Sequence, residues 1–397
     1  MFQPIEILRL SVIISKRIIG SQFAERGGNN VSTADYFIYL LSCFLNDEKP
    51  RGSEQTDWQE IFRLAENHSV TAIIASLIKE LPHGSRPKGK LLSAFEQSLD
   101  RTLKNYGEKM KAMTHLIEVL TASRIPHMLI KGAVLRFLYP APELRASRDT
   151  DVVISPSDYE ETMRTLESSG FKKEFLKQSF AQVRYGGEVF DIHTELESIN
   201  VQSKIYYSTP FDDISENTGY TYKLKPIYHL LYVITHTACH LKNGGAGVRM
   251  IMDIDAVLRY YPDMDTQRFL SLCENIKVRS TAEALIALSK KWFKTPVAID
   301  YTFEDEDETA FYNKLSDTII SSAVFASENG ITQAADAESS TKKNGKADRR
   351  ASWKALFSRL GKNIGKNSAK SSAKQEMPAK YFEVLNELQI EDSHHYE

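Results

Sequence analysis

Three acidic residues have the type and spacing to do chemistry: Asp149, Asp151 and Asp191. The first two stand two apart in Arg148-Asp149-Thr150-Asp151-Val152-Val153-Ile154, a run whose β-branched end favours a strand. In a strand, residues i and i+2 share a face, so both carboxylates would project to one side of a sheet. A second such run, Val189-Phe190-Asp191-Ile192-His193, carries the third carboxylate and could pair beside the first. Three carboxylates on one face repel one another unless cations sit between them. Hard cations such as Mg²⁺ take oxygen ligands, commonly a few carboxylates plus substrate phosphates. The chemistry expected is metal-dependent phosphoryl or nucleotidyl transfer.

The elements around these acids read as an α+β core. Residues 125–130 are short and apolar, which predicts a buried first strand. Lys131-Gly132 follows, and residues 133–138 can start a helix whose N-terminal N–H groups would meet phosphate oxygens. Pro140-Ala141-Pro142 marks a loop, with Arg145 and Arg148 leading into the Asp149/Asp151 strand. Ser157 with Glu160 reads as a capping box for a helix that Gly170 ends. Residues 171–175, 181–185 and 188–193 then form a meander with Gly186-Gly187 as its hairpin turn.

A glycine-led turn, a D-x-D strand and a third Asp on a later strand resemble the nucleotidyltransferase superfamily that includes DNA polymerase β. The combination of Lys131-Gly132, Tyr139-Pro140, Arg148-Asp149-x-Asp151, Asp191-x-His193 and Gly247-x-Arg249-x-x-x-Asp253 is similar to a bacterial group, the uncharacterised nucleotidyltransferases. The resemblance covers roughly residues 55–330. It implies a polymerase β-like mixed-sheet core flanked by N-terminal and C-terminal helical segments. It further implies Mg²⁺, with Mn²⁺ as its substitute, on Asp149, Asp151 and Asp191. An NTP donor would have its phosphates on Lys131, Gly132, Arg148 and Arg249, with His193 and Asp253 supporting from behind. An NMP would then pass to a hydroxyl acceptor, with Asp191 easing its deprotonation. One departure stands out: the superfamily usually has Gly-Ser at the turn, and Gly132-Ala133 lacks that hydroxyl.

Blander readings compete at several positions. Asp149 can be a turn residue, and Lys131 a surface lysine at a strand end. Arg145 and Arg148 can pair with nearby acids, Arg249 and Asp253 can form an i,i+4 ion pair, and His193 can be an ordinary strand histidine. His236 and His240 have the zinc-binding i,i+4 spacing, but residue 237 is Thr, so the base of H-E-x-x-H chemistry is missing. With His229 they are expected to line a helical interface or the cleft wall.

Segmentation follows composition. Residues 1–123 read as an N-terminal helical segment, 124–223 as the catalytic core and 224–329 as a C-terminal helical domain. The stretch 330–380 reads as a basic Ser/Lys-rich linker, and 381–397 as a tail. Phe303 to Glu308 reads as an acidic solvated loop. Between residues 342 and 380 twelve basic residues face two acidic ones, and Trp353, Leu356, Phe357, Leu360 and Ile364 fall at helical spacing. Such a basic amphipathic helix can meet an anionic membrane or a protein partner. The core itself is not basic and the net charge is −2, which speaks against a nucleic-acid acceptor and favours a small molecule or protein. Three distant cysteines predict a reducing compartment. Residues 1–19 read as an amphipathic helix, since Arg9, Lys16 and Arg17 interrupt the apolar run. With no apolar stretch of bilayer length, the expected location is cytoplasmic. The rival to catalysis is an inactive nucleotidyltransferase fold that uses its basic tail as a scaffold.

Overall fold

The computed structural model describes residues 32–53, 56–177, 180–243, 245–297 and 306–322. The expected N-terminal amphipathic helix, the basic linker with its helix and the C-terminal tail lie outside the described residues.

Four helices come first: α1 (Thr33–Asn46), α2 (Trp58–Asn67), α3 (Thr71–Ile78) and α4 (Gly89–Ala122). Ser32 and Asp57 start α1 and α2 by accepting backbone N–H bonds from Asp35 and Glu60. The sheet region follows, with β1 (His127–Leu129), α5 (Gly132–Leu135), β2 (Asp149–Ile154), α6 (Tyr159–Ser168), β3 (Lys172–Lys177), β4 (Phe180–Tyr185), β5 (Glu188–His193), α7 (Val201–Tyr206), β6 (Ser215–Thr218) and β7 (Thr221–Leu224). Helices α8 (Pro226–Lys242), α9 (Val248–Tyr260), α10 (Thr266–Asn275), α11 (Arg279–Phe293) and α12 (Glu306–Ser321) complete the described residues.

The strands form one mixed seven-stranded sheet in the order β3-β4-β5-β2-β1-β7-β6, so the fold is α+β as expected. β2 runs parallel to β5 and antiparallel to β1, which in turn pairs parallel with β7. Alternation sorts the two faces. Val152, Ile154, Phe190 and Ile192 join Ala112, Met113, Leu116 and Leu120 of α4 in one apolar layer. Val153 points the other way, into a layer with Leu196, Tyr228 and Tyr232. The odd-numbered residues of β2 and β5, the acids among them, share that second face.

The helices before and after the sheet are not separate layers. Residues from Tyr36 to Phe95 and from Leu230 to Ile319 form one continuous hydrophobic core. His68 ties it across the chain: its Nδ1 accepts from Val248 N–H at 3.4 Å, and its Nε2 bonds Ile320 O at 3.0 Å.

Two expectations require correction. The Ser157/Glu160 capping box does not form: residues 156–158 make a 3-10 turn, and α6 starts at Tyr159 after Asp158, with no side-chain cap. Ser157 Oγ instead bonds the Asp158 carboxylate and Ser155 Oγ, so the hydroxyl is spent inside the turn. The stretch read as an acidic loop also contains the start of α12 at Glu306. Beyond these, the structure adds α7, β6 and β7.

Candidate active site

The parallel register of β2 and β5 sets Asp151 directly against Asp191 and Val153 against His193. Ligating atoms of Asp151, Asp191 and His193 all lie within 4.8 Å of one another. Asp149 is on the same face, outside that donor set. Its carbonyl oxygen and that of Arg148 accept from the buried Lys109 of α4 at 3.3 and 3.2 Å, and Lys109 also pairs with Glu188 at 2.7 Å. This lysine pins the acidic end of β2 to the sheet's helical cover.

The two inner carboxylates differ in their surroundings. Asp151 Oδ1 receives Lys131 Nζ at 3.0 Å and His193 Nε2 at 2.9 Å. Burial alone would raise its pKa, but Lys131 and His193 outweigh burial and hold it below the usual carboxylate range. Lys131 answers in kind: burial opposes its charge, yet Asp151, Tyr232 and Glu197 keep it above the usual lysine value. Among the described residues, Asp191 accepts from Gln182 Nε2 at 2.9 Å on the adjacent β4. Burial raises its pKa, Gln182 lowers it, and the charges of Asp149 and Asp151 push it up again. Of the two inner carboxylates, Asp191 is therefore the less neutralised by the chain itself.

Lys131 itself is strained. Its φ of 49° is a left-handed value at a non-glycine residue, where backbone energy is typically about 1–3 kcal/mol above a relaxed one. The strain turns the chain from β1 into α5 and brings the ammonium to the carboxylates. Gly132 is needed next because space is gone: a Cβ there would sit 2.8 Å from Arg145 Nη1 and 3.0 Å from Ser147 Cβ. Arg136 donates from Nε to Gly132 O at 3.1 Å and from Nη2 to Ser147 Oγ. A hydroxyl, that of Ser147, thus lies beside the glycine turn although residue 133 is Ala.

Behind the turn is a buried charged knot. Arg145 donates Nε and Nη2 to the two oxygens of Asp253 at 2.9 and 2.8 Å, and Tyr139 Oη donates to Asp253 Oδ1 at 2.7 Å. Arg249 Nη1 donates to Ala146 O at 2.9 Å. Burial, with the repulsion of Arg145, lowers the pKa of both Arg136 and Arg249 to about 10. Arg148, by contrast, is exposed.

Sequence reasoning did not single out Glu197, Lys109 or Gln182. Glu197 lies just past β5, with Oε2 3.9 Å from Lys131 Nζ and 2.6 Å from His236 Nδ1. Burial opposes its charge, but His236, Lys131 and His240 lower its pKa to about 2. His240 packs edge-on against His236 with ring centroids 4.5 Å apart, and burial beside His236 lowers it to about 4. Glu197 carried no sequence signal, because its partners come from residues far away along the chain. Lys109 sat on the buried face of a helix, where a lysine seldom lies unless paired.

Among the described residues no helix is long and apolar enough to cross a membrane. A family model described as "Uncharacterised nucleotidyltransferase" matches residues 54–294. No curated protein and no solved structure matches the chain.

Proposed function

We propose that this chain, which belongs to the uncharacterised nucleotidyltransferase family, moves an NMP from an NTP to a hydroxyl acceptor with the help of a divalent cation. The observation that carries the reading is the convergence of Asp151, Asp191 and His193 within 4.8 Å on one sheet face. The donor set fits a divalent ion: two carboxylates suit Mg²⁺, and an imidazole in ligating position suits Mn²⁺ as well. When bound, the cation would neutralise the triphosphate and stabilise charge on the entering and leaving oxygens. Asp151 and Asp191 would hold it, Asp149 would add a carboxylate on the phosphate side, and His193 would ligate or orient Asp151.

The remaining residues fall into two groups. Lys131, its strained backbone aimed at Asp151, would place an ammonium beside the triphosphate. The N–H groups of Ala133, Val134 and Leu135 already donate to Ile130 O and Lys131 O, which leaves the Gly132 N–H to meet a phosphate oxygen at the turn. Arg249 and the exposed Arg148 would add positive charge, and Asp253 would keep Arg145 packed under the turn. In-line attack by the acceptor oxygen on the α-phosphorus would expel pyrophosphate. The acceptor class favoured is a small molecule or a protein side chain, since the core's sequence has no excess of basic over acidic residues.

One observation favours the scaffold reading: Asp151 Oδ1 already has Lys131 and His193 as partners within the chain, so its charge does not require a metal. Calorimetry of the full chain with each NTP, with and without Mg²⁺ or Mn²⁺, separates the two. Cation-dependent binding of an NTP that Asp191→Asn abolishes supports transfer. Absence of binding to any NTP turns the reading toward a scaffold.

A further inference from the structure

We propose that Phe175 and Phe180, on the outer half of the acid-bearing sheet face, form the acceptor subsite. Its occupant is a small hydroxyl compound built on one planar ring and carrying negative charge. The inference rests on the transfer reading above and deepens it by naming the class of acceptor.

Strand pairing carries the acid-bearing face outward from the site. Asp191 pairs with Gln182 and His193 with Phe180 on β4, and Gln182 pairs in turn with Phe175 on β3. Directly paired residues point to the same side of a sheet, so these side chains share one face. They also touch. Gln182 Nε2 donates to Asp191 Oδ1 at 2.9 Å, and the Phe180 ring centroid lies 5.2 Å from that of His193. Phe175 extends the row, its ring centroid 6.1 Å from that of Phe180.

A β-bulge puts Phe175 on this face. Lys173 pairs with Val183, which belongs to the apolar layer under α4. Plain alternation would send Phe175 to that same side. The register shifts between Lys173 and Phe175, and Phe175 comes out level with Gln182 instead. The extra residue, Glu174, is held by Arg184, whose Nε and Nη2 donate to it at 2.6 and 3.1 Å. Near the end of the hairpin, Tyr159 Oη donates to Lys177 O at 2.9 Å. The strands are thus fixed, yet neither ring joins an apolar layer of the described residues. Phe175 is 43% exposed and Phe180 half-buried.

Position gives this platform to the acceptor. The phosphates are assigned above to Lys131 and Gly132, which follow β1, and β1 flanks β2 on the side opposite β5. In-line transfer keeps the entering and leaving oxygens on opposite sides of the α-phosphorus. With pyrophosphate leaving toward Lys131, the acceptor comes in over β4 and β3. Its hydroxyl oxygen bonds the α-phosphorus as the bond to the bridging oxygen breaks. Pyrophosphate leaves with that electron pair, and the hydroxyl proton passes to solvent. Lys177 sets the preferred charge: its Nζ lies 5.1 Å over the Phe175 ring, so an anionic ring compound can stack and meet an ammonium together. Two phenylalanine rings match one planar ring, whereas a stable protein partner needs about 800 Å² on each side.

The first test needs no turnover. Para-hydroxyphenylacetate, titrated into the full chain holding Mg²⁺ and a non-hydrolysable NTP, should bind. Phe175→Ala and Phe180→Ala should each weaken it roughly tenfold. Phe175 is exposed, so its variant keeps the result readable if Phe180→Ala folds poorly. Lys177→Ala should weaken it about threefold and have no such effect on uncharged para-cresol. The second test follows pyrophosphate release from NTP and Mg²⁺. Para-hydroxyphenylacetate should be a better acceptor than glycerol, which has no ring. Phe175→Ala should raise its KM roughly tenfold while the KM for NTP moves by less than about twofold. A chain that binds NTP but not para-hydroxyphenylacetate, or that prefers glycerol, overturns this proposal alone. So does an unchanged KM in Phe175→Ala. Loss of NTP affinity in that variant assigns the platform to the nucleobase, and preference for an acidic tyrosine peptide assigns it to a protein; either outcome overturns the small-molecule subsite. A wild-type chain that binds no NTP overturns the transfer reading and this proposal together.

Discussion

Asp253 and Asp191 are the same side chain in two settings. Asp253 lies in the shared helical core, with both oxygens engaged by Arg145 and a third bond from Tyr139. Burial would raise its pKa, but Arg145 overrides burial and keeps it low. Asp191 lies half-buried on the acid-bearing sheet face with Gln182 as a polar partner and two like charges nearby, and its pKa is raised. A closed knot of charge holds a structure in place. An acid left short of positive charge is a place where a ligand gains by binding. The contrast separates support from site using residue types that look alike in the sequence.

The largest effect should come from breaking the closed side. Asp253→Ala leaves Arg145 buried and unpaired, and should cost about 3–5 kcal/mol in urea unfolding. Replacing both partners, as Arg145→Met with Asp253→Leu, should recover most of that loss. If Asp253→Ala is instead well tolerated, the knot is not the support described.

Acid should strain the closed side as well, and the sign follows from burial. His68 and His229 are pushed by burial from 6.5 down to about 4, so the unfolded chain takes protons first as pH falls. Stability should be full above pH 6.5 and decline toward pH 4. At pH 5 each histidine costs about 2 kcal/mol. Urea midpoints at pH 7.5 and 5, compared with those of His68→Gln, measure it; a midpoint equal at both pH values contradicts the burial assigned to these rings.

The open side should respond in binding rather than in folding. Asp191→Asn removes repulsion and keeps the shape, so stability should change by less than about 1 kcal/mol. Divalent-cation-dependent NTP affinity should fall on the order of 100-fold or more. Loss of folding without any prior cation binding would erase the contrast with Asp253.

Gly132→Ala lies between the two regions. Its Cβ would meet Arg145 and Ser147, so about 2 kcal/mol of stability should be lost, read from thermal unfolding. The smallest effect is His193→Asn. It should reduce Mn²⁺ affinity about tenfold relative to Mg²⁺, since imidazole favours the softer ion. Equal loss for both ions would assign His193 to orienting Asp151 instead.

Much of this was legible wherever local pattern decides structure. The β-branched run of β2, the Gly186-Gly187 turn with φ of 58° and 91°, and the long α4 all follow from neighbours in sequence. The same-face placement of Asp149 and Asp151 followed from strand period alone. The polar β6 and β7 were hidden, since Ser215 to Thr218 has no apolar alternation and is held by pairing with β7 at the sheet edge. Position in space likewise decided the arginines. Arg148 matched the motif but is exposed, while Arg145 is buried under the turn through a partner more than a hundred residues away. His236 looked like half of an incomplete zinc pair until Glu197 appeared beside it.

The 34-residue α4 has a mechanical consequence. Its Phe95 belongs to the helical core, and its Leu116 and Leu120 belong to the layer under the sheet. At 1.5 Å per residue it is a beam of about 50 Å built into both bodies at once. Bending between them along this beam would break its own hydrogen-bond ladder. A further direct connection between the two is the single-residue joint at Lys225, between β7 and α8. Hydrogen exchange in α4 should accordingly report the unfolding of both bodies as one event.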